Sequence, residues 1–422
     1  MSGASTPPQA PSRDPRPPAA PRPVAMLVHA YYEEDPRVRR EAEALVATGR
    51  PVVVYALRRP GTAPVDRLDG VDVRRMDVQR HQGAPLTRYL AEYIDFLVRA
   101  SLSLARDHRR ERYAVVQVHS IPDFLAAAAL PVRLAGVPVI LDLHESMPDF
   151  FRYRFPRAGS PILYRALLAQ ESASLAIADA VITVNDALGE RLLRRGVPPA
   201  KLTIVRNSPA LARFDPGAHP ARPFMADGTL RLVYAGALSP TYELDVAFRA
   251  LVALRVRRPG LAVTLDLYGR DFDEVPLVEL ARDLGLAAAV RFHGRIPVEA
   301  VPAALAAADV GLAPTRRNPF TDYSLSTKIH EYLAMAKPVV ATRLPMVERT
   351  FAGGEVATYT AGDPDDLAGA VLSLVDEPAA REARVARGLV RVRELAWERE
   401  SVDYLALVER LAGRREWAQP AQ

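Results

Sequence analysis

The feature that most constrains this chain is a rhythm with one interruption. Short apolar runs at 24–30, 51–57, 115–119, 138–143, 180–184 and 202–205 are separated by amphipathic stretches of helical period. Runs of that length between helices read as strands of a parallel sheet covered on both faces. Asp35-Pro36 opens the first predicted helix, over 37–48, with Asp as N-cap and Pro at the first helical position. A long amphipathic helix is predicted over 86–107. Residues 208–228 then break the pattern, with Pro209, Pro216, Pro220 and Pro223 beside Gly217 and Gly228. A second β/α series follows, with strands at 230–235, 262–268, 290–293, 310–313 and 338–341. A length of 422 residues exceeds what one core sustains. The expected organisation is a disordered Pro/Ala-rich tail (1–23), one doubly wound α/β domain (24–208), a linker (209–228) and a second doubly wound domain (229–395). A last helix (396–415) is expected to pack back towards the first domain.

Three strands of the second series end directly on glycine, at Gly236, Gly269 and Gly294. In open parallel sheets, ligands bind beyond the carboxyl ends of the strands. Glycine there either admits a phosphate or base close to the backbone or serves a tight turn. Composition removes several chemistries. There is no cysteine, so disulfides, thiol nucleophiles and Cys-held metals are excluded. His144-Glu145 is followed by Ser-Met-Pro and is no zinc helix, and no metal site is expected. No G-x-G-x-x-G follows any strand, which argues against a nicotinamide enzyme. No apolar run reaches 18 residues. The tail lacks the apolar segment of a signal peptide, so a cytoplasmic protein is expected. The net charge of +5 fits phosphate ligands or an anionic membrane surface and does not call for nucleic acid.

Lysine is nearly absent. Of 55 basic residues only Lys201, Lys328 and Lys337 are Lys, and two of these fall in S-T-K-I-H-E-Y-L-A-M-A-K-P-V-V-A-T, residues 326–342. A helix is predicted over 324–336, with Leu325, Ile329, Leu333 and Ala336 on one stripe and Ser324, Lys328 and Glu331 on another face. A lysine in the first turn opposes the helix dipole unless an anion neutralises both. Glu331 can accept from a vicinal diol such as ribose; the plain alternative is a surface Lys328–Glu331 pair worth roughly 0.2–0.5 kcal/mol.

The same stretch resembles the donor-site motif of retaining GT-B glycosyltransferases, the GT4-type family of sugar-nucleotide-dependent enzymes. Further resemblances run through the chain in order. They are D-P-R-V-R-R-E-A-E-A-L (35–45), V-H-S-I-P-D-F-L (118–125), L-D-L-H-E-S-M-P (141–148), A-D-A-V-I-T-V (178–184), V-R-N-S-P (205–209), Y-A-G-A-L (234–238) and A-A-D-V-G-L-A-P (307–314). The resemblance implies a GT-B fold, two Rossmann-like domains facing a cleft. It also implies transfer of a sugar from a nucleoside diphosphate to a hydroxyl acceptor, in glycan, glycolipid or cell-surface polysaccharide synthesis, with configuration retained and neither cofactor nor obligatory metal. Glu331 matches the ribose-binding glutamate, and Ser326, Thr327 and Lys328 match the helix start facing the diphosphate. The Gly236 and Gly269 loops border the donor, and the segment after Gly294, with Arg295, borders the base. His119 matches a position near the reacting sugar, with Arg37, His144 and Glu145 on the acceptor side. The implied catalytic set is His119, Lys328 and Glu331.

Two departures stand out. The family's other glutamate, eight residues before the ribose-binding one, is Tyr323 here, with Asp322 beside it as a substitute. Where many relatives carry Arg and Lys on the diphosphate, this chain has Ala237 and Tyr242. Lys328 is then the first candidate to supply the lost charge, with Arg37, Arg295, Arg316 and Arg317 behind it. The departures keep two other readings open, a nucleotide-binding subunit of weak or no catalysis and a sugar-nucleotide epimerase. Arg99, Arg106, Arg109, Arg110 and Arg112 crowd one end of the long helix. They complement its dipole or form a face for peripheral contact with an anionic membrane.

Overall fold

A computed structural model describes residues 20–81, 85–155, 160–220, 222–270 and 275–416, the side chains of 414–416 excepted; the expected tail at 1–19 lies outside the described residues. The first sheet has eight strands in the order β3-β4-β2-β1-β5-β6-β7-β8. They are β1 (Val24–Leu27), β2 (Val52–Leu57), β3 (Val65–Leu68), β4 (Val71–Met76), β5 (Val115–His119), β6 (Val139–Leu143), β7 (Ala180–Thr183) and β8 (Leu202–Ile204). All neighbours are parallel except β3 with β4. The second sheet has six strands in the order β11-β10-β9-β12-β13-β14, all parallel. Its members are β9 (Thr229–Ala235), β10 (Ala262–Tyr268), β11 (Val290–Gly294), β12 (Val310–Ala313), β13 (Val339–Thr342) and β14 (Ala357–Tyr359). Strand order reverses between β1 and β5 in one sheet and between β9 and β12 in the other. Each reversal opens a crevice at the carboxyl ends of the strands.

Burial explains the apolar runs. β1, β2, β5 and β6 are buried along their whole length because helices cover both faces. Phe96, Ala100 and Leu104 of the helix Leu86–Glu111 pack one face of the first sheet, while Val38, Ala42 and Leu45 of the helix Pro36–Ala47 pack the other. Asp35 caps the latter helix, accepting from the amides of Arg37 at 3.1 Å and Val38 at 3.4 Å, as its sequence predicts.

The chain returns to the first domain at its end. The helix Trp397–Glu416 inserts Tyr404, Leu407, Val408 and Leu411 into the same core as β1, β2 and Val38. Arg50 holds it by a two-pronged pair to Glu409 at 2.6 and 2.7 Å. At the junction Arg40 donates to Ser208 O and to Asn207 Oδ1, and its guanidinium lies 4.7 Å from the centroid of the Trp397 ring. One arginine thus joins the first helix to both crossings between domains. Burial pulls the pKa of Arg40 down to about 10.

Two elements escape the sequence pattern. β3 and β4 form an antiparallel hairpin at the sheet edge around Asp69-Gly70, both at positive φ. β14 is a three-residue strand. Leu407 is 1 % exposed, and Leu407→Ala should destabilise the protein by about 2–5 kcal/mol, read as a loss of denaturation midpoint at unchanged slope.

Candidate active site

The helix at the heart of the second domain spans Thr327–Ala334, with Ser326 as N-cap; residues 321–323 form a separate tight turn, so the helix begins three residues later than predicted. Its apolar stripe, with Ile329 and Leu333, seats it on the sheet. Tyr332 fixes its height, since its hydroxyl accepts from Ala235 N at 3.1 Å and donates to Leu312 O at 3.2 Å. The Tyr332 ring occupies the space where a side chain on Gly311 would stand, 2.3 Å from an ideal Cβ. The start of the helix therefore faces the ends of β9 and β10.

There Gly236, Gly269, Arg270, Arg295, Ile296, Thr327, Lys328 and Glu331 surround a cavity of ≈ 770 Å³. The glycines are required by close approach. A Cβ on Gly236 would sit 2.1 Å from Lys328 Cε, and one on Gly269 would sit 1.7 Å from the carbonyl oxygen of Gly236. Gly294 does not line this cavity; its carbonyl accepts from Gly269 N at 2.9 Å and supports that loop from behind. A second cavity of ≈ 660 Å³ continues into the first domain. It shares Arg295, Thr327 and Glu331 and adds Arg37, Arg39, Arg40 and Arg213. Arg295 spans the cleft to Glu34 at 3.4 Å.

Lys328 and Glu331 do not pair. Lys328 Nζ lies 3.9 Å from the ring centroid of Tyr242 and 5.1 Å from that of Tyr234, and among the described residues no carboxylate pairs with it. The Glu331 carboxylate likewise has no hydrogen bond or ion pair among the described residues, and burial pushes its pKa up to about 7 against the opposing charge of Lys328. An unpaired cation and an unpaired carboxylate on one cavity wall form a site arranged for a ligand carrying both an anion and hydrogen-bond donors. Ser326 sits behind them with its hydroxyl buried and unpartnered. The remaining arginine candidates are engaged: Arg316 pairs with Asp245 at 2.7 Å and Arg317 with Asp322 at 3.2 Å. The Asp322 carboxylate thus faces Arg317 in an exposed pair. Tyr323 is drawn to the first domain, its carbonyl accepting from Asn185 Nδ2 at 2.7 Å, while Phe320 packs on Phe150 and Tyr153. Lys337 is structural, donating to the carbonyls of Ala306 at 2.8 Å and Ala308 at 2.7 Å.

Across the cleft, Arg37, His144 and Glu145 meet around an enclosed space of ≈ 110 Å³ that also touches Asn185, Tyr323 and Ser324. His119 does not reach it. At 0 % exposure His119 lies behind the wall that His144, 6 % exposed, lines. Asp142 Oδ2 receives both rings, His119 through Nδ1 and His144 through Nε2, each at 2.9 Å. With Asp142 accepting at Nε2, a neutral His144 keeps its lone pair on Nδ1. Burial lowers the His144 pKa, with Arg37 adding to the effect; for His119 burial also acts downward, but Asp142 outweighs it and the net displacement is upward. Burial alone would raise the Asp142 carboxyl, yet His144 and His119 hold it well below the usual range. Gln117 joins Asp142 to Glu41 and accepts from Tyr404 of the last helix at 2.9 Å. His119, Asp142 and His144 are the only described cluster whose ligand atoms lie close enough to hold a metal, within 4.8 Å of one another. Hydrogen bonding through a shared oxygen accounts for its geometry. Sequence reasoning had quoted Asp142 within a motif without giving it this role.

Two doubly wound domains with a cavity at the strand ends are the architecture of a ligand-binding α/β protein, and comparison with known proteins gives the family. Residues 35–208 match the family model of the glycosyl transferase 4-like domain, and residues 229–377 that of glycosyl transferases group 1. Glycogen synthase of Mycobacterium tuberculosis is 28 % identical over 369 residues, 83 % of this chain and 84 % of its own. D-inositol 3-phosphate glycosyltransferase of Thermobifida fusca is 26 % identical over 326 residues, 74 % of this chain and 72 % of its own. Among solved structures, sucrose-phosphate synthase of Thermosynechococcus elongatus superposes with a TM-score of 0.75 at 20 % identity, covering 93 % of this chain and all 100 % of its own. Anabaena HepE in complex with UDP-glucose gives 0.66 at 14 % identity over 92 % of this chain and 99 % of its own. The chain belongs to the GT4-type glycosyltransferase family, has a GT-B fold, and is a glycosyltransferase.

Gly269→Ala should displace the Gly236 loop and lower stability by about 1–3 kcal/mol, because backbone and not a movable side chain blocks the new Cβ. Gly260→Ala, with nothing within 4 Å, is the matched control for the melting measurement.

Proposed function

We propose that the protein is a retaining transferase that moves a hexosyl group from a UDP- or GDP-sugar to a hydroxyl acceptor in glycan, glycolipid or cell-surface polysaccharide synthesis. The observation that carries this reading is the unpaired Lys328–Glu331 set on the ≈ 770 Å³ cavity beside Gly236 and Gly269. The diphosphate lies against Lys328, the Gly236 loop and the amides of the Thr327 turn; Glu331 accepts from the ribose hydroxyls; Arg295 and Ile296 border the base. That the Anabaena neighbour was solved with UDP-glucose supports a sugar nucleotide as the donor.

The chemistry follows from charge. The bond between the anomeric carbon and the diphosphate oxygen breaks, the acceptor oxygen bonds to that carbon from the same face, and the acceptor proton passes to the departing diphosphate. Negative charge grows on the diphosphate, where Lys328 and the helix amides stabilise it. No strong base and no metal is needed in this scheme. Arg37, His144 and Glu145 orient the acceptor, with His119 and Asp142 fixing the His144 ring. Arg295–Glu34 and Tyr323–Asn185 tie the two domains across the cleft and hold the acceptor face towards the donor.

The acceptor side has a further feature. The helix Leu86–Glu111 exposes Leu90, Ile94, Val98 and Leu102 in a stripe at fourfold spacing, with Arg88, Arg99, Arg106 and Arg109 exposed beside it. Apolar residues flanked by arginines fit an anionic bilayer, and support peripheral contact where a glycolipid acceptor would lie. Phosphatidylglycerol vesicles should sediment the protein and pure phosphatidylcholine vesicles should not, with Val98→Asp plus Leu102→Asp abolishing the difference; equal recovery in both supernatants would contradict the contact.

The donor reading predicts that UDP or GDP raises the melting temperature and that Glu331→Ala loses the shift. Free Glu331 titrates near 7, whereas two donated hydrogen bonds favour its ionised form, so bound Glu331 has the lower pKa. The shift is therefore full above about pH 7 and shrinks as pH falls below it. A thermal scan across pH checks both statements, and no shift with either nucleotide would sink the donor reading.

A further inference from the structure

Tyr242 stands where many relatives carry a second cation for the diphosphate, and the structure gives it a different task. The half-buried Tyr242 ring meets Lys328 Nζ at 3.9 Å from its centroid. It is held there from two sides. Its backbone pairs with Thr315 in an isolated antiparallel bridge, and its ring meets Tyr234 edge-on at 5.6 Å. Tyr234 is itself fixed by its hydroxyl donating to Ala237 O at 2.5 Å, and adds a second ring 5.1 Å from the ammonium. Beneath, the missing side chain of Gly236 leaves the channel through which the Lys328 stem passes.

An aromatic face and a carboxylate position an ammonium differently. A carboxylate would take up its N–H groups and neutralise it, and an incoming diphosphate would have to displace that partner. A ring attracts the charge through its quadrupole and takes up none of the N–H donors conventionally. The ammonium stays located, unneutralised and able to donate. Nearby carboxylates do not undo this. Asp245, in the first turn of the helix Leu244–Arg257, is paired with Arg316, and Glu243 is taken by Tyr359 OH at 3.2 Å and Gly362 N at 3.0 Å.

We infer that Tyr242, with Tyr234 behind it, is a positioning residue that holds the Lys328 ammonium over Gly236 for the β-phosphate of the donor. This rests on the donor-site reading above. It also explains how one lysine serves where relatives use more cations: the ring that replaced the second charge pre-orders the first.

The test compares binding of UDP with UMP, and of GDP with GMP, by calorimetry. The wild type should prefer the diphosphate of the matching base. Tyr242→Leu should lower affinity for that diphosphate about tenfold and leave the monophosphate within about twofold. Tyr242→Phe, which keeps the ring, should restore the preference. In a Lys328→Met background, Tyr242→Leu should have no further effect, which a merely structural role for the ring would not predict. The far-ultraviolet spectrum and melting temperature of each variant without ligand report folding separately. If the wild type prefers neither diphosphate, the donor-site reading falls and this inference with it. If the wild type does so and Tyr242→Leu keeps the same preference, or the two substitutions add independently, the positioning role alone is overturned.

Discussion

The donor half of this enzyme depends on one crossing, where the Lys328 side chain passes over a backbone that has no room for a Cβ. Gly236 sits at φ +154°, where other side chains are strained, with Lys328 Cε over the place of its Cβ, and Gly269 must be glycine because the Gly236 carbonyl lies against it. The helix carrying Lys328 is fixed in turn by Tyr332, whose hydroxyl bridges β9 and β12 and whose ring fills the place of a Gly311 side chain. The Gly269 contact is backbone against backbone, so the end of β10 and the Gly236 loop are set together. The result is a cation and a carboxylate facing a cavity, neither in an ion pair among the described residues, in a protein where ion pairs are otherwise abundant.

The acceptor half is built on a buried polar chain. Tyr404 reaches from the last helix to Gln117, and Gln117 reaches Glu41 and Asp142. Asp142 fixes His119 and His144. Burial, with Asp142 next in weight, pushes the Glu41 carboxyl up, while His144 and His119 hold that of Asp142 down. The last helix is in sequence an appendage of the second domain, yet it packs in the first and braces the His144 ring that lines the ≈ 110 Å³ space. Arg40, under Trp397, joins those crossings at one point.

Much of this was legible in the sequence because periodicity reports burial. Both sheets, the Pro-rich interruption and the capped first helix follow from apolar spacing and from Asp35-Pro36. The β3–β4 hairpin was missed although Asp69-Gly70 is a strong turn signal, because its edge strand β3 is largely exposed and carries no apolar run. At the site, the motif located Lys328 and Glu331, and the structure removes the surface-pair reading because the two do not pair. What stayed illegible was contact between distant residues. Whether His119 or His144 faces the cleft depends on how β5 and β6 end, and the Arg317–Asp322 pair joins residues whose side chains the sequence does not place. Tyr242 read as a lost charge, whereas its ring faces the remaining one.

The central claim is that a nucleoside diphosphate occupies the cavity between Gly236, Lys328 and Glu331. A crystal structure of the protein with UDP or GDP tests it most directly. The account predicts the β-phosphate within hydrogen-bond distance of Lys328 Nζ and the Thr327 turn, with both ribose hydroxyls on the Glu331 carboxylate. A nucleotide seated elsewhere, or one bound here with Glu331 turned away from the ribose, would contradict it.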